Sequence, residues 1–146
     1  MNISAKSKYA VRALVELAQQ NNGHPIPIAD IASRRDIPLQ FLEQLFSTLR
    51  KAGILNSHRG VRGGFSFNRL PEDVTVLDVV EVLDGNISPA ACTSGASCER
   101  IDGCIMNEVW GEVKSSIEEV LTSHNIGELA SRESLMESKS REMYYI

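Results

Sequence analysis

The sequence predicts a mainly α protein with one small β-hairpin: a winged helix-turn-helix domain followed by a long dimerisation helix. Three observations predict it. The first 52 residues hold three segments whose apolar residues recur at helical spacing, separated by Gly- and Pro-containing breaks. The stretch ILNSHRGVRGGFSFNRL comes next, with two short strand-like runs around a basic glycine turn. A further apolar helical stripe starts at Ile105, too long for a small domain to cover by itself.

The first predicted helix spans Ser7 to Gln20, with Tyr9, Ala10, Ala13, Leu14 and Leu17 as its inward stripe. NNGHPIP ends it, because Gly and Pro break helices. IPIADIASRRD supplies a short second helix facing inward through Ile28, Ile31 and Ala32. Ile37-Pro38 marks a turn, since a residue before proline avoids the helical region. The third helix runs from Pro38 to Ala52 and stops at Gly53, a C-terminal cap. Its Leu42, Leu45, Phe46 and Leu49 form one face. Gln40, Glu43, Gln44, Ser47, Arg50 and Lys51 form the other.

That polar face has the chemistry of a major-groove reader. Gln pairs two-pronged with adenine, Arg pairs with guanine, and Glu accepts from cytosine N4. The strands around Ile54–His58 and Gly64–Asn68 then make a wing. Arg59 and Arg62 at its tip suit phosphates or the minor groove. Val76, Val79, Val80 and Leu83 predict a helix over 74–84 that packs the wing back onto the domain, ended by Gly85.

Composition supports this reading. A chain of 146 residues with 42% apolar content suits one domain, or a small domain with an extension. Its net charge of -4 is unevenly spread. Residues 1–70 carry ten Lys/Arg and four acids, a balance of +6; residues 71–146 carry five and fifteen, a balance of -10. A basic half joined to an acidic half suggests a polyanion-binding module with a second role attached. No run of about 18 apolar residues is present to span a membrane. MNISAKSKYAVRALVELAQQ lacks the features of a signal peptide, so a cytoplasmic location is expected. Structural disulfides are rare there, and an odd cysteine count agrees.

All three cysteines fall in one stretch, CTSGASCERIDGC, spaced C-x5-C-x5-C at Cys92, Cys98 and Cys104. Thiolates are preferred ligands of iron–sulfur clusters, which usually take four protein ligands. Three cysteines plus one other ligand also suit zinc, so the motif alone leaves both open. A redox pair with one spare thiol is a further alternative.

SKYAVRAL, FLEQLFSTLRKAGIL, RGVRGGF, the helix after the wing and the cysteine spacing together resemble the IscR-type family of winged-helix iron–sulfur regulators. That family also includes NsrR-like nitric-oxide sensors and CymR-like cysteine regulators. The likeness covers roughly residues 1–130. It implies a cluster in the cysteine loop, a homodimer through the following helix, and operator choice that depends on cluster state. Two departures stand out. IscR-like members place a histidine ligand three residues after the third cysteine, where this chain has Asn107. NsrR-like members use a carboxylate near the N-terminus, at the position of Lys8. The fourth ligand is therefore open among Asn107 by position, Glu108, Glu99 and Asp102 by chemistry, or a small exogenous ligand. The likeness of the third helix and wing favours a 2Fe-2S cluster over 4Fe-4S.

From Ile105 to Leu121, the stripe of Ile105, Met106, Val109, Trp110, Val113, Ile117, Val120 and Leu121 extends about 25 Å. Pairing with a twin copy would bury it. A short helix or turn starts at Asn125, and residues 131–146 read as a flexible tail. The expected organisation is a DNA-binding domain over 1–84, a cluster loop over 85–104, dimerisation and short terminal helices over 105–130, then the tail. No nucleophile–base constellation or nucleotide-binding motif suggests an enzyme. The expected function is a cluster-sensing regulator that binds double-stranded DNA at near-palindromic operators and represses cluster-assembly genes and its own operon. The alternative is a thiol-, zinc- or nitric-oxide-responsive repressor of the same architecture.

Overall fold

A computed structural model describes residues 2–94 and 104–144. Helix α1 (Ala5–Gln19) begins at Ser4, whose hydroxyl accepts from the Ser7 amide. Its buried stripe of Ala10, Ala13, Leu14 and Leu17 is the centre of the core. Helix α2 (Ile28–Arg35) ends at Asp36 in the left-handed region, with φ 53° and ψ 50°. Ile37 then plugs the core, its amide donating to the Ala32 carbonyl at 2.9 Å. Pro38 precedes helix α3 (Leu39–Lys51), which buries Leu42, Leu45, Phe46 and Leu49. Gly53, at φ 85°, takes the chain out of α3 in a conformation that side-chain-bearing residues rarely adopt.

Strands β1 (Leu55–His58) and β2 (Gly64–Phe67) pair antiparallel, with Leu55 opposite Phe67 and His58 opposite Gly64. Ile26, from the loop before α2, adds a bridge to Phe65 through two main-chain hydrogen bonds of 2.9 Å. The backbones approach closely enough that a Cβ on Gly64 would collide with the Ile26 carbonyl. Phe65 meets Phe46 edge-on at 5.1 Å between ring centroids, which packs the wing against α3.

Helix α4 (Val76–Asp84) starts in a capping box, with reciprocal hydrogen bonds of 3.0 Å between Thr75 and Asp78. It packs on α1 and α3, not principally on the wing as the sequence suggests. Its tie to the segment after the wing is an ion pair, Arg69–Asp78, at 3.8 Å. Its C-terminus meets the start of α1, where the Asp84 carboxylate accepts from the Ser4 amide at 3.0 Å, the Ser4 hydroxyl, and the Ser7 hydroxyl at 2.7 Å.

Helix α5 (Ile105–Ser123) follows the cysteine segment, and α6 (Ile126–Tyr144) follows α5. Their junction is stitched to the α4 entry. The Val76 amide donates to His124 and the Ile126 amide to Val74, each at 2.9 Å. The sequence reading of a short terminal helix and a loose tail over 131–146 is corrected by α6, a helix through Tyr144. Between Gly127 and Tyr144 no Gly or Pro interrupts it, and Glu, Leu, Met, Lys and Arg are good helix formers. Its first turns enter the core through Ile126 and Ala130, whereas Leu135, Met136, Met143 and Tyr144 are exposed. No helix among the described residues is long and apolar enough to cross a membrane.

Candidate nucleic-acid interface and metal loop

Helices α2 and α3 with their tight turn form the helix-turn-helix, and α3 presents the face predicted to read bases. Gln40, Glu43, Gln44 and Arg50 are exposed and Ser47 is half-buried. Gln40, Glu43, Gln44 and Ser47 line one shallow surface together with Thr48 and Lys51. Arg50 lies on the same helix outside that surface. Thr48 was missed by sequence reasoning. Its spacing of four from Gln44 was the available signal, and its hydroxyl donates to the Gln44 carbonyl at 3.1 Å. Glu43 forms no ion pair with any described Lys or Arg, which leaves a bare carboxylate among hydrogen-bonding side chains.

Arg59 and Arg62 stand exposed at the wing tip around the fully exposed Val61. Just behind the tip, His58 Nε2 and Ser66 Oγ are 2.8 Å apart and link the two strands. An exposed reading helix flanked by a cationic hairpin can meet a duplex on two sides, one toward base edges and one toward phosphates.

The third part of the site follows α4 in the chain. Cys92 sits in a single 3-10 turn, Ala91–Thr93, closed by its own hydrogen bonds. Thr93 Oγ1 donates to the Ala90 carbonyl at 2.7 Å, Ser88 Oγ to the same carbonyl at 2.8 Å, and Ser94 Oγ to Ala91 at 2.7 Å. Cys104 is the N-cap of α5. Both thiols are free and half-buried. Cys98, Glu99 and Asp102 lie outside the described residues. Asn107, half-buried, and Glu108, exposed, follow Cys104 by three and four positions, so they neighbour it on the helix surface. Among the described residues, no group of three or more His, Cys, Asp or Glu stands close enough to hold a metal. His24 is in the loop after α1, and His124 caps α5 opposite Glu128 at 3.8 Å.

A winged helix-turn-helix with an exposed reading face and cationic wing, followed by a cysteine segment and a long helix, defines a DNA-binding regulator. Residues 3–132 match the model of the Rrf2 family, described as iron-dependent transcriptional regulators. The chain belongs to this family. It is a transcription regulator and not an enzyme.

Among curated relatives, the HTH-type transcriptional regulator IscR of Vibrio atlanticus is 34% identical over 97% of this chain and 82% of its own length. The Escherichia coli regulator of that name is 30% identical, over 97% and 88%. Among solved structures, CymR of B. subtilis, the global cysteine regulator, gives a TM-score of 0.78 at 32% identity, covering 90% of this chain and 98% of that one. IscR of T. potens gives 0.74 at 34% identity, covering 91% and 88%.

Proposed function

We propose that this chain is an iron–sulfur-dependent repressor that binds near-palindromic operators as a homodimer and controls cluster-assembly genes together with its own operon. One observation carries the cluster reading. Two free, half-buried thiols, Cys92 and Cys104, are held on ordered supports at either end of the cysteine segment, one in a closed turn and one at a helix start. Soft thiolate sulfur is the donor that clusters prefer, so this part of the donor set fits. Cys92, Cys98 and Cys104 would be the sulfur ligands. Asn107 and Glu108 are the candidates at the α5 start for the fourth place; Glu108 offers an anionic oxygen and Asn107 a neutral one.

A bound cluster supplies a redox-sensitive, iron-dependent link between the segments that ligate it. A 2Fe-2S cluster is the reading we favour over 4Fe-4S. The chain's own residues do the rest. Cys104 joins the loop to α5, and α5 leaves Ile105, Val109, Trp110 and Val120 open to solvent in the single chain. Burying that stripe against a second copy would set the spacing of two α3 helices. Loaded and cluster-free dimers would differ in DNA affinity by as much as loading favours one spacing over another.

The test is anaerobic purification followed by a visible spectrum and iron, sulfide and zinc analysis. Iron with sulfide and a visible band that is bleached in each of Cys92→Ala, Cys98→Ala and Cys104→Ala is expected. Full colour in any one variant removes that residue from the ligand set. The second reading is a thiol- or zinc-dependent repressor, favoured by Asn107 standing where a histidine ligand would be expected. Zinc without sulfide, or reduced thiols without metal, would establish it.

A further inference from the structure

Lys114 makes the one described side-chain hydrogen bond from α5 to the turn carrying Cys92. Its Nζ donates to the Thr93 carbonyl at 3.0 Å, and its side chain is 29% exposed. Thr93 directly follows Cys92 and also closes the turn through its hydroxyl and its amide, both donating to the Ala90 carbonyl. The turn is thus rigid within itself and tied to α5 by a cation. Lys114 is in turn steadied by Glu118, one helical turn further on, at 3.9 Å.

We infer that Lys114 is the positioning residue for the Cys92 ligand: it holds the Cys92 turn on the same helix that begins with Cys104, so two thiols from different segments keep one frame. The inference rests on the cluster reading for its purpose and on the Lys114–Thr93 contact for its geometry. Cys104 is rigidly part of α5 by being its N-cap, whereas Cys92 precedes the 95–103 segment and has no helix of its own longer than one turn. A donor from α5 to the carbonyl next to Cys92 removes that independence. The same ammonium adds positive charge beside a site whose sulfurs are anionic when they bind metal. Its loss would therefore disfavour the reduced, more negative cluster.

The test compares wild type with Lys114→Gln and Lys114→Arg, which differ in charge but can all donate. In the cluster-free chain, alkylation of each thiol by iodoacetamide is followed by peptide mass spectrometry. Compared as the rate constant of the thiolate itself, taken from the pH dependence of the rate so that the lost cation's effect on ionisation is divided out, Lys114→Gln should speed alkylation at Cys92 by roughly fivefold, the scale of one partly screened charge-assisted hydrogen bond, and leave Cys104 unchanged. Lys114→Arg should restore the wild-type rate. In the loaded chain, Lys114→Gln should lower the midpoint reduction potential and Lys114→Arg should not. An unchanged Cys92 rate in Lys114→Gln overturns the inference. So does equal acceleration at both thiols with loss of helical circular dichroism, which marks a general loosening. A wild-type chain without iron and sulfide overturns the cluster reading instead, and the alkylation rates then still decide whether Lys114 holds the turn.

Discussion

Arg35, the last residue of α2, reaches Glu133 on α6 at 2.5 Å while its Nε donates to Glu16 on α1 at 2.8 Å. Gln19 accepts from the same guanidinium at 3.1 Å, and Arg12 donates to the Arg35 carbonyl at 2.9 Å. The C-terminal helix is thereby ionically joined to the first helix of the helix-turn-helix.

This joint sets an expectation for stability. Glu16 is 9% exposed, and its other cationic partner, Arg34, is 3.5 Å away and largely in solvent. Arg35→Met should cost about 2–3 kcal/mol in urea unfolding, mainly by leaving the buried Glu16 charge with only the exposed Arg34 as its cation. Glu133→Gln should cost only about 1 kcal/mol, because that end is more open to water. Burial alone would lower the Arg35 pKa, but hydrogen bonds and charge from Glu133 and Glu16 outweigh it and raise it. A raised pKa gives stability that is complete below the guanidinium's ordinary range, so the Arg35→Met cost should not fade as pH rises from about 6 to 9.

Asp84 governs the acid side. Burial pushes its carboxyl up, but the Ser4 and Ser7 hydroxyls, the Ser4 amide and the charge of Lys6 hold it below its ordinary 3.8. A lowered pKa contributes stability above the unfolded value and loses it as pH falls through the folded one. Wild type should therefore exceed Asp84→Asn in stability at neutral pH, and the two should converge below pH 3.8. Denaturant midpoints across that range measure it; a constant gap would show that the carboxylate's charge contributes nothing.

On DNA, the two halves of the interface should separate by salt. Arg62→Ala should weaken binding to all sequences and reduce the salt slope by about one unit. Gln44→Ala should relax specificity at a cost of roughly 1–3 kcal/mol on the preferred operator. Glu43→Ala should let the cluster-free protein accept an operator preferred by the loaded one, since an unpaired carboxylate in a groove is tolerated only where it finds a donor such as cytosine N4. Gel-shift titrations of loaded and cluster-free protein at two salt concentrations read all three. An unchanged ratio of loaded to cluster-free affinity in Glu43→Ala would leave Glu43 a surface residue.

The α5 stripe should fail when charged. Val109→Asp with Val120→Asp, both exposed in the single chain, would place two unpartnered carboxylates in the proposed interface. Sedimentation should then report a monomer with normal helical content and weak operator binding. A folded double mutant that stays dimeric and binds DNA would show that these positions do not form the interface.

Local signals explain most of what was legible. Ile37-Pro38 announced the turn of the helix-turn-helix, and Leu42, Leu45, Phe46 and Leu49 announced which face of α3 is hidden, because both rest on neighbours within a few residues. Gly53 and Gly85 likewise marked helix ends, each now at positive φ. Contacts between distant residues carried no such signal. Ser7 and Asp84 are 77 residues apart, and Lys114 and Thr93 are 21 apart, so neither pairing has a period to read. The tail was misread for a related reason. Apolar periodicity detects a helix by what it buries, and beyond Ala130 the exposed face of α6 leaves Leu135, Met136 and Met143 without a stripe. Helix propensity alone, unaided by burial, was the evidence there. Cys92, Cys98 and Cys104 could be picked out as a set by type and spacing, whereas no spacing singled out a fourth ligand among Asn107, Glu108, Glu99 and Asp102.

The Ile26–Phe65 bridge has a consequence for how such a regulator can diversify. The wing takes its direction from two main-chain hydrogen bonds, a glycine without room for a side chain, and a Phe46–Phe65 contact, all within its strands. None of these involves residues 59–62. The tip is thus an interchangeable cassette on a fixed mount. Replacing Arg59, Val61 and Arg62 should alter which DNA the hairpin tolerates without altering where it points. Copies of such a gene could then drift toward new operators through the cassette while inheriting the mount unchanged.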